Sequence, residues 1–405
     1  MPIDELDGFD PVEEVISDIR NGKLVIVTDD EDRENEGDLI GAAEMMTPAM
    51  VNFMITEGRG MLCAPVSEEI AGRLKLGPMV AQNRDTFRTN YTVTVDAAKG
   101  VTTGVSAQDR AATIRILADP VSSAGDLVQP GHVNPLVARA GGVLRRAGHT
   151  EAAVDLARLA GLREAGALIE ILSADGSPMR LPELRPFAKK HGLKLTSIAA
   201  LIAYRRRSER LVSREQVIQL PTDWGDFQLY LYKSVLDGQE HLALVMGDVS
   251  DGEPVMVRVH SECLTGDVFG SQRCDCGWQL ETAMRMIQAE GRGVIVYLDQ
   301  EGRGIGLLNK LKAYELQDKG ADTVEANEQL GFKADLRNYG IGAQILLDQG
   351  LKSIRVLTNN PRKLVGLDGY GLIVNDRVRL EAPSTDENAS YLETKRTKLG
   401  HLFAI

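Results

Sequence analysis

Residues 23–43 read KLVIVTDDEDRENEGDLIGAA. The first six form a β-branched apolar run with the length and composition of a buried strand. It runs straight into Asp29-Asp30-Glu31-Asp32-Arg33-Glu34-Asn35-Glu36-Gly37-Asp38, seven carboxylates in ten residues, and a second apolar run, 39–43, follows at once. Most of the chain repeats this alternation of short β-branched runs with amphipathic helical stretches, as expected of an α/β protein. Thr47-Pro48 opens a helix with threonine as N-cap and proline at the first helical position. That helix ends near Gly58, before a strand at 61–66. Ser106-Ala107-Gln108-Asp109 has the spacing of a capping box for a helix through Ile116. Thr150 is expected to cap a further helix, which Gly161 ends.

At 405 residues the chain is too long for one ordinary core, and two domains are the natural division. Near 199–212 the pattern changes: AYRRRSERLVSREQ reads as a charged, solvated helix without an apolar stripe, leading into the extended QVIQLPTDWG. The boundary is therefore placed at about 205. The expected domains are 1–205 and 206–405, each α/β with some α+β character, a mixed sheet flanked by helices. Glu-Gly-Arg recurs at 57–59, 290–292 and 301–303 without a fixed period and is not a structural repeat.

Composition narrows the function. Hydrophobic content of 43% and charged content of 26% are those of a soluble globular protein. No run of 18 apolar residues occurs, so no membrane span is expected. The first residues are acidic where a secretory signal would be basic and then apolar, which points to the cytoplasm. Net charge is −12, with 22 basic and 29 acidic side chains in 1–205 and 24 and 29 in 206–405. Neither half carries the clustered cations of a nucleic-acid binder.

The acidic loop has two readings. An isolated acidic run is usually a solvated loop. Here carboxylates at the C-terminal end of a strand are placed to hold a hard divalent cation, and Arg33 offers a fork for a phosphate or a pair of hydroxyls. Two glycine–histidine segments follow, PGHVNP at 130–135 and RRAGHTE at 145–151. A lone histidine is more often structural than catalytic. Yet the chain has six, and two of them, His132 and His149, fall in such loops. The second loop ends at a helix N-terminus beside Arg145 and Arg146, a favourable place for a phosphate.

Together DDEDRENEGD, GVTTGVSAQDRAATIR, PGHVNPL, GGVLRRAGHTEAAVDLARLAGL and AGALIE resemble 3,4-dihydroxy-2-butanone 4-phosphate synthase over roughly 8–205. The resemblance implies conversion of ribulose 5-phosphate into the four-carbon phosphate and formate with Mg²⁺. It implies that Glu34 and His149 hold the metal, and that Arg33, Glu34, Asp38, Arg146, Ala147, Gly148, His149, Thr150 and Glu170 bind the sugar phosphate. His132 and Glu170 would transfer protons. Enolisation, dehydration, skeletal shift and cleavage each need acid–base groups around a metal that polarises a carbonyl. An imidazole ligand is unusual for magnesium, so Mn²⁺ is also admitted. Gln129 and Asn134 stand where the family has arginine and an aromatic residue. They motivate an alternative in which the first half is a weak or inactive scaffold.

The second half carries HSECLTGDVFGSQRCDCGWQL, with Cys263, Cys274 and Cys276 within 14 residues, while the fourth cysteine, Cys63, is remote. A disulfide framework does not suit a long cytosolic chain, and metal binding is the better reading. A structural zinc site wants four protein ligands, and His260 is available as the fourth. Three ligands and water make a catalytic site.

RVHSECLTGDVFGSQRCDCG, QEGRGIGLLNKLKAYELQDKGADTVEAN, DLRNYGIGAQIL and LTNNPRK, in that order, look like GTP cyclohydrolase II over nearly all of 206–405. That family opens the imidazole ring of GTP and releases formate and pyrophosphate. The resemblance implies one zinc per chain on Cys263, Cys274 and Cys276. It assigns GTP contacts to Arg258, Val259, His260, Ser261, Glu262, Gln279, Glu301, Gly302, Arg303, Thr323, Thr358 and Lys363. Asp335 would accept a proton. Arg337 would be a nucleophile toward the α-phosphorus or, since guanidinium stays protonated, a stabiliser of phosphoryl charge. Asp299 replaces the family's usual arginine. Both resembled families are homodimers, so self-association is expected. A zinc-containing, non-enzymatic nucleotide- or nucleic-acid-binding module is the reading from another class, and the negative charge counts against it.

Overall fold

The computed structural model describes residues 8–30, 33–87, 89–332, 339–360, 367, 370–385 and 387–398, the side chains of Ser390 and Leu392 excepted. It divides into two compact units, Met1–Ser208 and Glu209–Ile405.

The first unit is built on seven strands: β1 (Val25–Thr28), β2 (Gly37–Ala42), β3 (Cys63–Val66), β4 (Val95–Ala97), β5 (Leu127–Val137), β6 (Gly166–Glu170) and β7 (Leu195–Ser197). Their order is β4-β5-β3-β6-β2-β1-β7, with parallel and antiparallel pairs mixed. Because successive side chains leave a strand on opposite faces, the apolar runs feed two cores. Ile26, Leu39, Ala64 and Ile169 pack on one side with Ala111, Ile114, Leu184 and Phe187 of flanking helices. Val25, Val27, Ile40 and Leu168 pack on the other with Val15, Ala152, Leu156 and Leu201. A sheet covered on both faces explains why 25–28 and 37–42 are buried throughout.

Local chemistry sets the helix ends. The Thr47 hydroxyl accepts from the Met50 N–H before Pro48, and Ser106 caps Ala107–Ala118 through the Asp109 N–H. The return half of that capping box is absent. The Asp109 carboxylate instead takes the Thr102 N–H and hydroxyl and the Gly104 N–H. The expected Thr150 cap is corrected too: Gly148 is the N-cap of His149–Leu159, and Thr150 lies buried in its first turn. The charged helix Ile198–Ser208 is not wholly solvated. Arg205 is buried, 2.7 Å from Asp155 and 2.8 Å from the Gly141 carbonyl. The stretch SREQ, read with that helix, belongs to a strand.

The second unit has β8 (Val212–Thr222), β9 (Gly225–Ser234), β10 (Glu240–Met246), β11 (Val255–Ser261), β12 (Gly293–Leu298), β13 (Ser353–Leu357) and β14 (Ile373–Val378). Their order is β14-β13-β11-β12-β10-β9-β8, antiparallel at the β8 end and parallel from β12 to β14. Ala283, Met284 and Ile287 of helix Cys276–Glu290 pack with Met256 and Ile295 on one face. Helix Tyr339–Asp348 lies against Val259 and Leu298 on the other, approaching through Gly342. Both units are therefore mixed sheets flanked by helices. No helix among the described residues is long and apolar enough to cross a membrane.

Candidate active sites

In the first unit, β1 and β2 pair antiparallel with Thr28 opposite Gly37, so the acidic run closes a loop over their ends. Asn35, in the left-handed region at φ 53°, makes the turn tight. Asp29 then accepts the backbone N–H groups of Glu34 (3.0 Å) and Glu36 (2.9 Å) and an Arg33 guanidinium N–H (2.9 Å). Arg33 also donates to Glu34 at 2.6 Å and stacks over Phe87. Arg180, which the sequence did not single out, braces the loop by donating to the carbonyls of Glu34 and Asn35.

The β2–β6 register sets Asp38 opposite Glu170. His149, at the start of its helix, points Nδ1 at Glu34 (3.7 Å) and Asp38 (3.9 Å). Its Nε2 lies 3.1 Å from the Val27 carbonyl. Only a donor suits that carbonyl, so in the neutral ring the lone pair falls on Nδ1, which faces the cluster. Ligand atoms of Asp29, Glu34 and His149 lie within 4.8 Å of one another. Burial pushes the Asp38 carboxyl up to about 8, with Glu170, Glu36 and Glu34 adding and His149 opposing. Burial works against charge on His149, but Asp38, Glu34 and Asp29 outweigh it and raise the imidazole to about 9. Burial also opposes charge on Glu34, yet His149 and Arg33 hold its carboxyl below the ordinary value. The buried Oδ1 of Asp38 has no hydrogen-bond partner among the described residues. Such a set fits a hard divalent cation with a hydroxylated ligand beside it.

Glu170 accepts the Met61 N–H at 2.7 Å. Arg146 is held by Glu151 (2.6 Å), Thr89 (3.0 Å) and the Phe87 carbonyl (3.2 Å), close to Gly148. Ala147 is exposed. His132, on β5, is bound not to these carboxylates but to Asp96 on β4, at 2.7 Å.

In the second unit the thiols of Cys263, Cys274 and Cys276 lie within 4.8 Å of one another, and among the described residues no other metal-ligating side chain joins them. His260 stands apart: its Nε2 lies 3.0 Å from Asp267, and its ring stacks on Tyr297. Asp267 also takes the Cys263 N–H (3.0 Å) and the Tyr297 hydroxyl (2.9 Å), so it anchors the first cysteine. Lys310, buried, donates to the Cys263 sulfur (3.2 Å), Thr265 (2.9 Å) and Glu301 (2.9 Å). Cys274 draws the Cys263 thiol well below its usual range, with Cys276 and the Lys310 ammonium adding. The bond with Cys263 holds Cys274 up at about 11. Three converging sulfurs beside a fixed cation fit a thiophilic metal.

Two clefts meet there, and both are lined by Ser261, Cys276, Arg303 and Tyr391. The larger adds Glu262, Cys263, Cys274, Glu301, Gly302, Lys310, Tyr314 and Thr323, and the smaller adds Arg258, His260, Gln279, Thr358 and Lys395. Arg258 is held by Gln279 (2.5 Å) and the Leu357 carbonyl (2.8 Å). Gly302, Arg303, Gly304 and Gly306 all have positive φ, and Arg303 holds φ 64° without glycine's freedom, a strain of about 1–2 kcal/mol. Its buried Nη1 has no hydrogen-bond partner among the described residues. Unlike the rest, Val259 turns its side chain toward helix Tyr339–Asp348. Asp335, Arg337 and Lys363 lie outside the described residues.

Residues 13–204 match the family model for 3,4-dihydroxy-2-butanone 4-phosphate synthase, and residues 213–379 match that for GTP cyclohydrolase II. Curated relatives include the riboflavin biosynthesis protein RibBA of Bacillus mycoides, 59% identical over 97% of this chain and 99% of its own. The RibBA of Bacillus subtilis is 58% identical over the same shares. A solved structure described as RibBX, a two domain 3,4-dihydroxy-2-butanone 4-phosphate synthase from A. baumannii, gives a TM-score of 0.69 at 38% identity, covering 91% of this chain and 99% of that one. The cation-ready acidic cluster and the cysteine trio thus fall in separate matched regions, and the chain belongs to the bifunctional riboflavin biosynthesis enzymes that join a 3,4-dihydroxy-2-butanone 4-phosphate synthase to a GTP cyclohydrolase II.

Proposed function

We propose that the first unit converts D-ribulose 5-phosphate into L-3,4-dihydroxy-2-butanone 4-phosphate and formate, and that the second converts GTP into the ring-opened 2,5-diaminopyrimidine nucleotide, formate and pyrophosphate. The observation that carries this reading is one chain holding two chemically unlike ligand sets, Asp29–Glu34–His149 and the three cysteines.

In the first site Glu34 and His149 would hold Mg²⁺ or Mn²⁺, with Asp29 within reach, and the bound cation would polarise the substrate carbonyl. Arg33, Asp38, Glu170 and the 146–150 segment would bind the sugar phosphate. Asp38, whose buried Oδ1 has no hydrogen-bond partner among the described residues, would bond a hydroxyl of the sugar. Glu170 and His132 would move protons. The scaffold alternative draws no support from the relatives. Asn134 replaces aromatic packing with a bond, its amide donating to the Leu62 carbonyl at 3.1 Å, and Gln129 is exposed.

In the second site Cys263, Cys274 and Cys276 would hold one zinc, which when bound would supply an activated water. Arg303, strained and short of a partner, would meet GTP together with Arg258, Val259, His260, Ser261, Glu262, Gln279, Glu301, Gly302, Thr323, Thr358 and Lys363. Asp335 would accept a proton, and Arg337 would act on the phosphoryl group. We place the chain in the cytoplasm, in keeping with its bacterial biosynthetic relatives.

Incubation with ribulose 5-phosphate and with GTP in separate tubes should release formate in each. Formate from one tube alone would sink the bifunctional reading. The resembled families also imply a homodimer, so light scattering should give about twice the chain's 44.1 kDa. A monomer at every concentration would contradict it.

A further inference from the structure

Helix Ala389–Thr397 lies beyond residues 213–379, the stretch that matches the cyclohydrolase family model, yet it carries two side chains into the second site. Tyr391 and Lys395 stand four residues apart and so share one face of it. Tyr391 lines both clefts, and Lys395 lines the smaller one with Arg258, Arg303 and Thr358. The Lys395 ammonium lies 4.6 Å from the centre of the Tyr391 ring, and its side chain is only 8% exposed. It donates to the buried carboxylate of Asp275, the residue between Cys274 and Cys276. Asp275 also accepts from Gln279 at 2.7 Å, and Gln279 accepts from Arg258 at 2.5 Å. Just past the helix, Lys398 donates to Asp322 and, at 2.8 Å, to Glu325, which anchors that end independently.

The charges around the smaller cleft do not balance. Arg258, Arg303 and Lys395 line it, and among the described residues that do so there is no carboxylate. Asp275 answers only one of the three cations. Like charges gathered round one cleft repel unless an anion joins them. Arg303 has a buried Nη1 without a hydrogen-bond partner among the described residues. An ammonium carries three donors, and Asp275 takes one of those on Lys395.

We propose that Lys395 is a polyphosphate-binding residue, its ammonium holding the phosphate tail of GTP beside Arg258 and Arg303, so that the terminal helix forms part of the substrate site. This deepens the GTP reading given above and rests on it. The competing role is a plain ion pair that ties the helix to the cysteine loop. Such a pair needs its two opposite charges and nothing more, so the two roles respond differently to loss of each charge.

The test uses the full chain loaded with zinc. Pyrophosphate serves as the phosphate probe, and guanosine as the probe that has base and sugar without phosphate, each titrated by calorimetry. In Lys395→Met the Kd for pyrophosphate and the KM for GTP should each rise about 10–100-fold, as expected for one lost bond to a charged group. Guanosine should bind as in wild type, and zinc should stay in place. In Asp275→Asn the ammonium is freed from its carboxylate, and pyrophosphate should bind at least as tightly as in wild type. Joining the two substitutions removes both charges at once, which relieves an ion pair of its cost but gives a phosphate ligand nothing back. The double variant should therefore bind pyrophosphate as weakly as Lys395→Met. Unchanged pyrophosphate binding in Lys395→Met overturns the inference, and so does its return in the double variant. Should Lys395→Met fail to fold with Asp275 left alone, the double variant decides by itself, and wild-type affinity there overturns the inference. Wild type that binds pyrophosphate through Lys395 but releases no formate from GTP would remove the GTP reaction and leave the phosphate site standing.

Discussion

Cys274→Ser should lower formate release from GTP by at least about 10³-fold and strip the bound zinc, while formate from ribulose 5-phosphate stays at the wild-type rate. The three thiols converge, with Cys263 and Cys274 sulfurs 3.7 Å apart. A serine hydroxyl is harder, and it does not ionise near neutrality as a thiol does beside a cation. Two sulfurs and an alcohol leave the Lys310 ammonium with less anionic charge to face. Metal content by elemental analysis and the two formate assays settle the matter together. A variant that keeps both zinc and GTP turnover would show that the trio is not the metal centre. Loss of both reactions would show that the substitution unfolds the chain.

The mirror experiment is Glu34→Gln. It preserves volume and removes one anionic ligand from the Asp29–Glu34–His149 set, and it turns an amide toward the Arg33 guanidinium, which only donates. Synthase turnover should fall on the order of 10³-fold, and excess Mg²⁺ should restore only part of it. The GTP reaction should be untouched. Wild-type turnover at limiting Mg²⁺ would remove Glu34 from the ligand set.

What could be read along the chain and what could not divides on sequence distance. The acidic loop, the two glycine–histidine segments and the cysteine trio are local, so composition and spacing marked them, the family resemblance named Glu34 and His149 as partners, and the structure brings together the carboxylates with His149 and the thiols with one another. Asp96 lies 36 residues before His132, Lys310 lies 47 after Cys263, and Arg180 lies 146 after Glu34. Those partners meet only through strand pairing and helix packing, and nothing local marks them. Asp29 was inside the quoted acidic run, yet only its backbone-facing geometry separates it from its neighbours. The Thr150 cap failed for a related reason. Gly148 provides the N-cap backbone where Arg146 and Glu151 leave no room for a side chain.

The buried pair of Arg205 and Asp155 decides where the chain can be divided. A polypeptide stopped at 205 would retain the guanidinium but end in a free α-carboxylate on a residue that is buried in the full chain. Asp155 also takes the Val143 N–H, and it sits where a Cβ on Gly142 would collide with it, so it has little freedom to turn away. The new charge would lie at a helix C-terminus on a buried residue, where the helix dipole and burial both oppose it. Stopping beyond Ser208 keeps the last turn of the helix intact and puts the terminal charge a turn further along. Three residues of helix thus separate a cut that ends the first unit at an exposed serine from one that sets a bare charge on a buried arginine.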